Sequence, residues 1–188
     1  MTSESNNPDP QKLFDSIMKQ QLHAESKLPP VHKWNPPLSG DLDMRIDREG
    51  RWFYQGGEIT RHALVKLFST ILKRVDDDYY LVTPVENWRI QVDIAPFAAH
   101  SLKVVQENGV AGLLFTLNDD SEVLLSDDGG LWVEVDGDTP IPMLKVRGGL
   151  NALINRNVFY QLADLADQEG DSLWVSSMGK RFLLGRFD

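Results

Sequence analysis

The sequence predicts an α+β protein of two related lobes from an internal duplication, each a small curved, mostly antiparallel sheet packed on a helix. Three observations carry that expectation. Short stretches of alternating apolar and polar residues are separated by turn residues along most of the chain, two segments show helical spacing of apolar residues, and the two halves repeat an order of parts. The chain divides on this reading into an N-terminal helix and proline-flanked arm (residues 1–36), a first lobe (37–96) and a second lobe (97–188).

Asp9-Pro10 is a helix start, and Leu13, Phe14, Ile17, Met18 and Leu22 recur on one face, so residues 10–24 read as an amphipathic helix. Pro29, Pro30, Pro36 and Pro37 bracket Trp34 in a stretch expected to be extended, with Trp34 as its packing anchor. Met44 and Ile46, then Trp52 and Tyr54, alternate with polar neighbours around Asp47-Arg48-Glu49-Gly50, which predicts a hairpin. Thr60 is read as the cap of a helix that turns Leu64, Leu67, Phe68, Ile71 and Leu72 inward and ends at Asp76-Asp77-Asp78. Tyr79–Thr83 and Trp88–Ile94 read as strands around a turn with Pro84.

Five strand-like segments follow, near Ser101–Gln106, Gly112–Leu117, Glu122–Leu125, Leu131–Val135 and Met143–Val146. Leu150, Leu153, Ile154, Val158, Leu162 and Leu165 then fit one long helix from Leu150 to Gln168, before two last strands, Leu173–Ser176 and Arg181–Arg186. The duplication rests on Gly56-Gly57 and Gly148-Gly149, each placed ahead of a helix. Gly57 lies 25 positions before Val82, and Gly149 lies 26 before Val175.

Composition narrows the function. The 188-residue chain has no cysteine, which removes disulfides, thiolate catalysis and cysteine-based zinc sites. Its start, MTSESNNPDP, is not a signal peptide and no apolar run is long enough to span a bilayer, so a cytoplasmic protein without membrane contact is expected. Residues 1–94 carry 12 Lys/Arg against 14 Asp/Glu, whereas residues 95–188 carry 7 against 14. The second half would be repelled by a duplex, which argues against bulk nucleic acid as a partner but permits a local anion pocket.

His23, His32, His62 and His100 show no metal-binding spacing, and the acidic turns lack the alternating ligands of a calcium loop, so neither metal nor cofactor is expected. Nucleophile-elbow and phosphate-loop motifs are absent, so no catalytic residue is assigned. Two arginines stand out. Arg61 falls in the first turn of its helix, where the dipole disfavours a cation, and Arg147 precedes Gly148-Gly149. If Gly149 opened a helix, its N–H groups and Arg147 would hold a phosphate or carboxylate. The competing reading makes both arginines structural, paired with acidic residues such as Glu58, Glu86 or Asp93. Thr83 and Glu86 are read either as ligand contacts or as parts of a plain hairpin, and Trp52 or Trp88 either as a stacking platform or as core.

Ordered short motifs run through the chain: Trp34-Asn35-Pro36-Pro37, Asp43-Met44-Arg45-Ile46, Gly50-Arg51-Trp52-Phe53-Tyr54, Ile59-Thr60-Arg61, Leu81-Val82-Thr83-Pro84-Val85-Glu86 and Ala95-Pro96-Phe97. With Arg147-Gly148-Gly149-Leu150-Asn151-Ala152 and the stretch Arg156–Leu162, they resemble a bacterial family known as domain of unknown function 1285. The resemblance implies tandem α+β lobes, the second similar to pleckstrin-homology-like folds. It also implies a nucleotide-like ligand between the lobes and a role in signal transduction. Arg61, Thr83, Glu86, Arg147 and Arg156 fall on its motif positions.

The expectation is therefore a non-enzymatic regulatory protein that binds a small anionic ligand through Arg61, Thr83, Glu86, Arg147, Gly148, Gly149 and Arg156. The alternatives are a scaffold that captures a protein partner through its N-terminal helix and arm, and a phosphoester hydrolase whose site assembles only on folding.

Overall fold

The computed structural model describes Asp9, Lys12, Asp15, residues 28–128 and residues 130–187. The amphipathic helix expected over 10–24 lies outside the described residues, apart from Lys12 and Asp15. The chain divides into two units, one of residues 1–46 and 51–93, the other of residues 47–50 and 94–188.

In the first unit, β1 (Gly40–Ile46), β2 (Trp52–Tyr54) and β3 (Gly57–Glu58) form one antiparallel meander. After α1 (His62–Thr70), β4 (Leu72–Val75), β5 (Asp78–Val82) and β6 (Asn87–Val92) form a second. The meanders join through a parallel pair, β1 against β6, giving the order β3-β2-β1-β6-β5-β4. Period-two alternation in β1 buries Leu42, Met44 and Ile46 and exposes Asp41, Asp43 and Arg45. On the polar side Arg45 pairs with Asp93, and Arg89 bonds Asp41 at 2.6 Å. On the apolar side Phe68 of α1 stacks on Trp52 of β2, ring centroids 5.9 Å apart.

Three local expectations are corrected here. The proline-flanked arm is not wholly extended, because Val31–Lys33 makes one 3-10 turn between Pro30 and Pro36. Half-buried Trp34 gives its carbonyl to Lys73 Nζ at 2.9 Å, so Lys73 fastens the arm to β4. The helix is capped by Arg61 rather than Thr60, and it stops before the acidic run. Leu72 opens β4, and Asp76 and Asp77 turn the β4–β5 hairpin.

The second unit repeats the sheet order. β7 (Phe97–Glu107), β8 (Val110–Leu117) and β9 (Glu122–Leu124) form one meander, and β10 (Leu131–Asp136), β11 (Thr139–Arg147) and β12 (Leu150–Ile154) the other. The parallel pair is again the first strand against the sixth, in the order β10-β11-β12-β7-β8-β9. Then come α2 (Arg156–Asp164) and a three-stranded meander, β13 (Asp167–Glu169), β14 (Ser172–Ser177) and β15 (Lys180–Arg186).

The two lobes thus share a six-stranded sheet topology, as a duplication requires, but the glycine pairs do not correspond. The helix follows the third strand in the first lobe and the sixth in the second. Gly148 (φ 53°) and Gly149 (φ 77°) form the tight turn of the β11–β12 hairpin, a conformation that favours glycine at both central positions. In the first lobe Gln55 and Gly56 occupy the β2–β3 turn, and Gly57 already belongs to β3. Leu150–Ile154 is a strand, paired with β11 and with β7, and its buried Leu150, Ala152, Leu153 and Ile154 make a pattern that a run this short shares with a helix. The helix begins six residues later than Leu150, where Asn155 Oδ1 accepts from the Val158 N–H at 3.1 Å.

Ser177 joins the small sheet to the large one. Fully buried, its hydroxyl donates to the Leu125 carbonyl at 2.6 Å and accepts from the Leu113 N–H at 2.8 Å. Ser177→Ala strands both groups away from water, an expected cost of about 1–3 kcal/mol. The check is the urea unfolding midpoint, and an unchanged midpoint would show that these two groups find other partners.

Candidate functional site

A cleft of about 540 Å³ opens in the second unit, and its walls, Asn118 included, come from five stretches of the sequence. Ala98 and His100 come from β7, and Leu153 and Ile154 from the neighbouring β12. Thr139, Pro140 and Pro142 come from β11, and Asn155, Arg156, Phe159 and Tyr160 from the first turns of α2. Arg48 and Glu49 complete it from the turn between β1 and β2.

The local sequence explains how each wall is set. The β7–β8 register shifts between Ala99 and Ser101, which puts His100 in a bulge. Such an insertion re-aims a side chain that strict alternation would place elsewhere. His100 Nε2 lies 3.0 Å from the Leu117 carbonyl, so that nitrogen carries the proton and donates. On α2, Arg156 and Tyr160 are four residues apart and share a helix face. The Arg48-Glu49 turn is fixed at both ends. Asp47 Oδ1 accepts from the Glu49 N–H at 3.0 Å, and the Gly50 carbonyl accepts from Asn118 Nδ2 at 2.8 Å. The other end of the same amide accepts from the Ala98 N–H at 3.1 Å.

Two arginines line the cleft. Among the described residues neither Arg48 nor Arg156 makes a hydrogen bond or salt bridge through its guanidinium, whereas Arg45, Arg74, Arg89 and Arg181 all pair with carboxylates. Arg156 also occupies the first position of α2, where a cation opposes the helix dipole. Neither arginine is placed there by a need of the fold that these contacts reveal. No group of three or more metal-ligating side chains occurs among the described residues. None of the described helices is long and apolar enough to cross a membrane.

Of the residues singled out from the sequence, only Arg156 lines this cleft. Arg147 is half-buried in the second unit with its guanidinium 5.0 Å from the Phe97 ring centre. Burial pushes its pKa below the ordinary arginine value, and the Asp119 carboxylate pushes it back up. Gly148 and Gly149 lie in the adjacent hairpin turn, and Leu150 continues as strand, so the helix N-terminus expected at Gly149 does not exist.

Arg61, Thr83 and Glu86 belong to the first unit. Arg61 is the exposed N-cap of α1. Thr83 is buried, and its Oγ1 accepts from the N–H groups of Val85 (3.3 Å) and Glu86 (3.0 Å), which closes the turn as in the plain-hairpin reading. Asp93 is bound by Arg45, and Trp52 and Trp88 are buried in the core at 1% and 7% exposure, out of reach of a stacking ligand.

Two adjoining family matches together span residues 29–184. Residues 29–95 match the "Domain of unknown function (DUF1285), N-terminal domain", and residues 96–184 the "Protein of unknown function (DUF1285), C-terminal domain". The chain belongs to the DUF1285 family. A DUF1285 protein from Silicibacter pomeroyi DSS-3 is 43% identical, with 90% of this chain and 94% of that one aligned at a TM-score of 0.78. A second, from Shewanella baltica OS155, is 25% identical over 65% of this chain and 91% of that one, with a TM-score of 0.52. No curated protein matches the chain.

Within this DUF1285 chain, reading the sequence missed Arg48, His100, Asn118 and Tyr160. Arg48 carried one available signal, a turn of the form Asp-Arg-Glu-Gly that presents a cation at its tip. His100 carried none, because its bulge is a property of the β7–β8 register.

Proposed function

We propose that this DUF1285 protein binds a small organic anion in the cleft of its second unit and acts as a binding protein rather than an enzyme. The observation that carries the proposal is the pair of guanidiniums, Arg48 and Arg156, without hydrogen-bond or ion-pair partners among the described residues on one cleft of about 540 Å³. That volume suits a small molecule, and guanidinium forks suit carboxylate or phosphate. Every lining residue belongs to the second unit, which bears many more carboxylates than cations overall. Two cations on an otherwise acidic unit suit a small anion, whereas a long polyanion would also meet the surrounding carboxylates.

A regulatory role in the cytoplasm, and a pleckstrin-homology-like second lobe, belong to the same proposal. The family resemblance supports both.

The test is a thermal-shift panel of organic anions at low salt, run on the wild type and on Arg48→Ala and Arg156→Ala. A ligand at 100 times its Kd adds about 2.7 kcal/mol, on the order of 5–10 °C for a chain of this size. Both arginines are exposed, and alanine at the first position of α2 removes an unfavourable charge–dipole contact, so both variants are expected to melt at or slightly above the wild-type temperature. Each is expected to lose about tenfold or more in affinity, the worth of a charge-assisted hydrogen bond. A panel without shifts, or shifts that survive in both variants, would reject the proposal.

A further inference from the structure

The polar groups of the cleft divide into those the fold has used and those left for a ligand. Asn118 is spent at both ends of its amide, accepting from the Ala98 N–H and donating to the Gly50 carbonyl. Asn155 Oδ1 caps α2 through Val158, and His100 Nε2 is committed to the Leu117 carbonyl. Among the neutral polar atoms of the lining, Asn155 Nδ2, His100 Nδ1 and the hydroxyls of Thr139 and Tyr160 are what a nucleobase edge would have left to meet. A base placed here would trade its water for few protein partners, and each unpaired edge would weaken binding.

The remaining surface has a different character. Pro140 and Pro142, two apart on β11, share a sheet face, and with Leu153, Ile154 and Phe159 they offer an apolar wall. Beside it stand Arg48 and Arg156, against one carboxylate, Glu49. Two guanidiniums outnumber the one carboxylate on this lining, which suits a carboxylate ligand.

From this we infer that the cleft takes a monocarboxylate carried on a compact apolar body, an aryl- or alkyl-carboxylate, rather than a nucleotide. The inference rests on the anion-binding reading above and narrows its ligand. The carboxylate lies against the guanidiniums of Arg48 and Arg156, the apolar body packs on the proline and Phe159 wall, and Tyr160 covers it from the same helix face as Arg156.

The experiment is calorimetric titration of the full chain with four probes: phenylpropionate, its neutral analogue phenylpropanol, AMP and inorganic phosphate. Phenylpropionate is expected to bind at least tenfold more tightly than each of the others. Arg156→Ala and Tyr160→Ala, both at exposed positions, are each expected to reduce that affinity about tenfold while the other three probes stay weak. If AMP binds more tightly than phenylpropionate and Arg156→Ala abolishes it, the carboxylate inference is wrong and the anion site stands. Equal binding of phenylpropionate and phenylpropanol rejects the anion site as well, and so does the absence of binding by all four.

Discussion

Trp52→Ala is expected to destabilise the first unit by about 3–5 kcal/mol, the usual range for truncating a large buried aromatic. Trp52 is 1% exposed and stacks on Phe68, itself fully buried, so the substitution empties the space between β2 and α1. The indole adds a second feature. Its Nε1 is buried without a hydrogen-bond partner among the described residues, so part of the gain from burying the ring is offset by an unpaired donor. Trp52→Phe keeps an apolar ring and removes that donor, and it is expected to cost less than about 1.5 kcal/mol. Urea unfolding of both variants checks this. With two units in the chain, the transition that moves also reports whether they unfold together. Equal losses in both variants would mean that indole shape, rather than apolar burial, holds this contact.

Elements whose signal is local were legible in the sequence. Alternation marked Met44 and Ile46 as one buried face, to which the structure adds Leu42, and the Thr83–Glu86 turn was expected from Pro84 between two strand-like runs. Long-range pairing was not. The parallel pairs β1–β6 and β7–β12 join strands separated by four or five intervening elements, and nothing in either strand names its partner.

Leu150–Ile154 failed for a related reason. A strand buried on both faces has no alternation, and its leucines fall in phase with the helix that follows. That misreading moved a helix start to Gly149 and carried the expected anion site with it. Arg156 was found through the family resemblance, and it turned out to begin the real helix. Arg48 was hidden because it lies in a hairpin turn of the first lobe's strands yet lines a cleft of the second unit, a relation only tertiary structure provides.

That turn is the most exacting local feature of the site, and Gly50→Ala is expected to cost about 2–4 kcal/mol. Two effects act together. Gly50 has φ +80°, where an added Cβ costs about 1–2 kcal/mol for a residue that is not glycine. The same Cβ would stand 2.7 Å from Asn118 Nδ2 and 3.0 Å from Ala98 Cβ. The Asn118 amide cannot simply swing aside, because it is held by the Ala98 N–H at one end and the Gly50 carbonyl at the other. Relieving the clash therefore breaks hydrogen bonds worth about 1 kcal/mol each.

Asn118→Ala separates the two effects. It gives up the hydrogen bonds but opens the space, so the double variant Gly50→Ala/Asn118→Ala should be less destabilised than the sum of its parts, by about 1 kcal/mol. The readout is the urea midpoint of all three variants, with anion titration alongside, since a displaced turn also shifts Arg48 on the cleft. Strict additivity in the midpoints would place the whole cost of Gly50→Ala in its backbone conformation. Unchanged anion affinity in Gly50→Ala would show that Arg48 does not depend on this turn for its position.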